Sequence, residues 1–158
     1  MEKWMRIIRG IVIGSCVFWI NGYAFSPEGA EGKEKFPVCN ACHNPELNPP
    51  LAPPMWGVQR RYKRTAHDKA HFVDLVAGFA IAPAPEKAVF VGAVKKLGLM
   101  PAIPLPEDDL KKIAAYIWEE QFSPPCMHWK FGAAQAEEEG DVAHAEKDRR
   151  MLKRFCGQ

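Results

Sequence analysis

An all-α fold follows from three features of the 158-residue chain. The stretch PEDDLKKIAAYIWEEQF, residues 106–122, places Leu110, Ile113, Ala114 and Ile117 on one helical face. Residues Asp68 to Ala80 repeat that pattern more weakly, with Phe72, Val73, Val76 and Ala77 on one side. No segment alternates apolar and polar residues as a half-buried strand does, and no internal repeat is found. The length suits one domain with extensions.

The first element is MEKWMRIIRGIVIGSCVFWINGYAF. A basic start (Lys3, Arg6, Arg9) leads into an apolar run and a small-residue ending. Residues 1–24 read as a secretory signal peptide, with Gly22-Tyr23-Ala24 as the cleavage site. A retained N-terminal anchor is the alternative. The uncharged run from Gly10 to Pro27 is on the short side of the roughly 20 residues a spanning helix needs. A lipoprotein reading at Cys16 is weaker, because the apolar run continues past it. Each reading exports the folded part, which is then expected in a periplasm, free or membrane-anchored. Removing residues 1–24 takes three of the 21 basic and one of the 19 acidic residues, leaving a neutral chain. No basic excess remains to suggest a nucleic-acid partner. Membrane contact is expected only if the N-terminal segment is retained.

Residues 25–35 are polar, contain Gly29 and Gly32, and read as a short linker. FPVCNACHNPEL follows, with Cys39, Cys42 and His43 inside five residues. A redox-active dithiol would leave His43 incidental and lacks its usual strand–helix context. A zinc site needs four ligands, and the remaining cysteines offer no second close pair. Covalent haem attachment uses all three residues: two thioethers to the porphyrin edge, and the imidazole as proximal iron ligand. One covalent haem c is therefore the expected cofactor.

Pro45, Pro49, Pro50, Pro53 and Pro54 forbid helix interior and force an extended loop. MWGVQRRYKR then has room for a helical turn or two. A short helix within APAPEKAVFVGAVKKLG should end near Gly98. The clearest helix starts at Pro106, with Glu107, Asp108 and Asp109 in a first turn that favours acids, and stops before Pro124. The extension, residues 124–158, carries Glu137-Glu138-Glu139 and a thin apolar pattern. It reads as irregular, one helix, or two marginal ones. Cys126 and Cys156 are the one pair left for an oxidising compartment, so a disulfide is expected. Closing that 30-residue loop would stabilise by roughly 3–4 kcal/mol.

A haem with one histidine has a sixth position. Met100 suits it: Gly98 lets the backbone bend, Pro101 fixes the chain after the sulfur, and 57 residues separate it from His43. Met55 is the main rival. His67 and His71, four apart, read as solvent-facing. Met127, His128, His144 and Met151 are weaker candidates still.

Cys39-Asn40-Ala41-Cys42-His43, then Gly98-Leu99-Met100-Pro101, then Leu110, Ile113, Tyr116 and Ile117 together resemble a class I cytochrome c. The resemblance runs from Phe36 to about Phe122, giving a domain at 36–123, and does not reach the extension. It implies a small helical domain wrapped around one haem, with His43 and Met100 as axial ligands. It also implies an aromatic residue near Tyr116 beside the haem. A proline carbonyl should hold the His43 Nδ1–H, with Pro50, Pro53 and Pro54 all competing. An N-terminal helix should cross the C-terminal one. Only a short helix fits between Pro27 and Pro37, with Gly32 and Phe36 as candidates for the contact.

Two protein ligands leave the iron no open position for substrate. This argues for a single-electron carrier rather than an enzyme, passing electrons between redox proteins in transient encounters or within a complex. The alternatives are a haem sensor or small haem enzyme with a displaceable Met100, and a fixed subunit of a larger redox complex. Arg60, Arg61, Lys63, Arg64, Lys95 and Lys96 suggest a docking rim, with ordinary solvated charge as an equal reading.

Overall fold

A computed structural model describes residues 24–157 of the chain. All but Ala24 of the signal-or-anchor segment lies outside the described residues. Within them, the fold is all-helical, without a strand. The helices are α1 (Pro27–Lys35), α2 (Pro37–His43), α3 (Met55–Thr65), α4 (Lys69–Ile81), α5 (Val91–Leu97), α6 (Glu107–Glu119), α7 (Cys126–Glu138) and α8 (Val142–Phe155). A single 3₁₀ turn, Pro85–Lys87, precedes α5. No described helix is long and apolar enough to cross a membrane.

The stretch 25–35 is not simply a linker: most of it is α1. Ser26 caps the helix by accepting from the Gly29 N–H at 3.1 Å, and Pro27 pre-sets the first turn. Its buried residues are Gly29 and Gly32, so the packed face carries no side chain for hydropathy to register. That bareness lets α1 lie against α6. A Cβ at Gly32 would overlap the Lys112 carbonyl, so the two backbones meet there without intervening side chains. Phe36 packs edge-on against Tyr116 at 5.0 Å and beside Phe122 at 5.6 Å. The Glu119 carboxylate closes the other end of the crossing. It accepts from Ser26 N at 2.9 Å, Ser26 Oγ at 2.7 Å and Lys69 Nζ at 2.5 Å.

Helix α6 is central. Its expected face of Leu110, Ile113, Ala114 and Ile117 is buried, and burial extends to Ala115 and Tyr116 because α1 and α4 cover different sides. Helix α4 is capped by Asp68, whose carboxylate accepts from His71 N at 2.7 Å, and it buries Phe72 completely. Helix α3 is longer than the turn or two expected. Met55, Gln59 and Tyr62 form its buried stripe, while Arg60, Arg61, Lys63 and Arg64 stay outside. Gln59 Nε2 donates to the carbonyls of Ile117 at 2.5 Å and Glu120 at 2.6 Å, satisfying groups at the C-terminal end of α6.

The extension forms two well-defined helices. Helices α7 and α8 fold back on each other across Gly140 (φ 74°), and Cys126 and Cys156 join their outer ends as a disulfide. The interface uses small side chains, Ala133, Ala136 and Ala145, with Leu152. The hairpin meets the body through aromatic rings: Trp56 of α3 stands edge-on to Trp129 at 5.3 Å and to Phe155 at 5.2 Å.

Candidate functional site

Cys39, Cys42, His43 and Met100 all line one cavity of about 280 Å³. Six segments build it: α2, the proline loop, α3, α4, the stretch from Ala88 through α5 to Ile103, and α6 through Ile117. Its wall is overwhelmingly hydrocarbon. Among the described residues, the only heteroatom-bearing side chains on it are those four, Met55 and Tyr62, and no carboxylate or cation lines it.

His43 ends α2 and is held by the proline loop. Its Nδ1 lies 2.6 Å from the Pro53 carbonyl oxygen, which accepts only, so the ring proton sits on Nδ1. Nε2 is left with the free lone pair. Of the three competing prolines, Pro53 makes this contact. Burial lowers the His43 pKa and the Pro53 hydrogen bond offsets part of that, so the neutral imidazole that binds metals is favoured. The Cys39 thiol is pushed up to about 11 by burial. A redox-active dithiol needs the opposite shift.

Met100 sits in the irregular segment after α5. Gly98 ends α5 at φ 85°, a conformation that glycine adopts without strain, and turns the chain toward Met100. The Ile103 N–H then donates to the Ala80 carbonyl at 2.9 Å, tying the segment to the end of α4. Met55 shares the cavity wall, but it opens α3 only two residues after Pro53 and is part of the buried core. Tyr116 does not line the cavity. It faces Phe25, Phe36 and Phe122, and its hydroxyl donates to Glu120 at 2.7 Å. Tyr62 and Ile117 take the wall positions instead.

The remaining ligand candidates lie elsewhere. His67 and His71 bring their Nδ1 atoms to 2.6 Å at the start of α4, away from the cavity wall. Met127 is exposed, while His128, His144 and Met151 line a second cavity against the hairpin. Sequence reasoning overlooked most of the wall, including Phe79, Phe90, Val94 and Leu97. The signal was the apolar run Ala88 to Val91, followed by Ala93, Val94 and Leu97 within α5. The chain matches no protein-family model, no curated protein and no solved structure.

Proposed function

We propose that the chain is an exported single-electron carrier, not an enzyme, built around one covalent haem c and resembling class I cytochromes c. The observation that carries this reading is the convergence of Cys39, Cys42, His43 and Met100 on one hydrocarbon-walled cavity. Cavity-facing packing supports it. Helices α2 and α5 are seven residues each and bury no residue, yet Val38 and Cys39 of α2 and Ala93, Val94 and Leu97 of α5 all line the cavity. Helices that short need packing to persist, and a large apolar group in the cavity supplies it. Val38, Leu51 and Leu99, among the most exposed large apolar side chains, stand on the same wall.

The donor set fits a haem. Cys39 and Cys42 would hold the porphyrin by thioethers. His43, oriented through Pro53, would offer Nε2 to the iron, and Met100 would offer sulfur. A haem held there would supply one-electron Fe(II)/Fe(III) chemistry. A soft methionine ligand favours the reduced state. The chain's own residues fix the imidazole tautomer, position the sulfur through Gly98 and Ile103, and keep water from the site with a hydrocarbon wall. Redox proteins in the periplasm are the partners this reading requires.

Covalent attachment is tested by the mass of the purified, denatured protein. A mass raised by one haem is expected for the wild type, and the bare polypeptide mass for Cys39→Ser/Cys42→Ser. A wild-type mass without haem removes the proposal's foundation.

A further inference from the structure

A second concavity, of about 600 Å³, runs between the hairpin and the body of the molecule. One wall is α3 and α5, the other is α7 and α8, and Trp56, Trp129 and Phe155 stand among its lining residues. Six cationic side chains line it: Arg60, Arg61, Arg64, Lys96, Lys147 and Arg154. Arg60 is stacked over Trp56 at 4.7 Å, and Arg61 Nε donates to the Val89 carbonyl at 3.2 Å, so both are held in place. Among the described residues, none of the six pairs with a carboxylate, although six other lysines and arginines do. Among the described residues, the single acid lining the groove, Asp148, is 2% exposed and held by His144 Nε2 at 3.2 Å. It leaves the positive field largely uncompensated.

The geometry points to a docking groove for an acidic, extended segment of a partner protein. Charge complementarity argues for the acid, and the arrangement argues for a chain. Cations stand on both walls, and Lys147 and Arg154 are seven residues apart on α8, about 10 Å at 1.5 Å per residue. An extended peptide repeats its same-side carboxylates about every 6.5–7 Å, so one segment meets several of these cations at once. The Trp56 and Phe155 rings give an apolar residue of that segment a surface to rest on. Four of the six cations of the sequence-predicted rim, Arg60, Arg61, Arg64 and Lys96, line this groove, Lys63 and Lys95 do not, and the extension adds Lys147 and Arg154 from the facing side. Ala52, Pro53, Phe90, Ala93 and Leu97 line both cavities, so a docked segment would lie across one wall from His43. The inference rests on the groove's own residues and does not require the haem reading.

Calorimetric titration of the purified full chain with a synthetic tetraglutamate peptide tests it, at about 0.01 M ionic strength where screening is weak. The wild type should bind. Lys147→Glu/Arg154→Glu should weaken binding about tenfold or more, and Arg64→Glu, on the opposite wall, should weaken it too. The charge-matched pair Lys130→Glu/Lys153→Glu, on the same hairpin but outside the groove, should change it less than about twofold. Circular dichroism checks that each variant is folded. Three results overturn the proposal: no binding by the wild type, equal weakening by the two double variants, or inorganic pyrophosphate binding as tightly as the peptide. The last would make this a small-polyanion site.

Discussion

Gly32 and Glu119 show how single residues fix the frame that carries the site. At Gly32 the α1 backbone touches the Lys112 carbonyl, and backbone cannot rotate aside as a side chain can. Gly32→Ala should therefore cost about 1–3 kcal/mol as overpacking, measured by urea denaturation. Gly78→Ala is the control, since a Cβ there meets nothing within 4 Å. Glu119 carries a pH dependence. Burial alone would raise its pKa, but hydrogen bonds from Lys69 and Ser26 outweigh that and bring it below the ordinary value. A lowered folded pKa means stability that is full above the unfolded pKa and lost as pH falls through the folded one. Glu119→Gln should cost about 1–2 kcal/mol at neutral pH. The gap from wild type should narrow below about pH 4.5, the ordinary carboxyl value. A gap that stays constant down to pH 2 would show that Glu119 keeps no protonation-linked contact.

Among the elements, α6 was legible because its apolar residues are large and correctly spaced, and its acidic first turn marks the start. Helix α1 read from composition as a linker because it packs through glycines, and only the family resemblance suggested a short helix there with Gly32 at the contact. Helix α3 was read too short because four cations, Arg60, Arg61, Lys63 and Arg64, mask the stripe of Met55, Gln59 and Tyr62. The hairpin looked marginal because alanines make most of its interface. Cys39, Cys42, His43 and Met100 were grouped from local sequence alone, and they line one cavity. Choosing Pro53 among three prolines needed the loop's path. The resemblance put an aromatic near Tyr116 beside the haem, but Tyr116 turns to Phe36, the residue expected at the helix crossing, and does not line the cavity. The hairpin is also separable from the first cavity, since no α7 or α8 residue lines it. Cys126→Ser/Cys156→Ser should cost about 3–4 kcal/mol of local stability. Amide exchange should quicken in α7 and α8, while the visible spectrum of the protein stays unchanged. A spectrum altered by that variant would mean that the extension helps to build the first site.

At the scale of the molecule, two concave sites share one wall. One is hydrocarbon with four donor residues, and the other is cationic with an aromatic surface. This arrangement suits the proposed carrier, in which a partner would come close to a haem without that haem being open to substrate. The central claim is that His43 and Met100 together saturate one covalent haem. The most direct test is the optical spectrum of the purified protein, oxidised and reduced, with and without carbon monoxide, beside Met100→Ala. The account predicts a weak far-red band in the oxidised wild type that vanishes in Met100→Ala, and a reduced wild-type spectrum that carbon monoxide leaves unchanged. A missing band, or ready carbon monoxide binding by the wild type, would contradict it and turn attention to a sensor or enzyme with a displaceable sixth ligand.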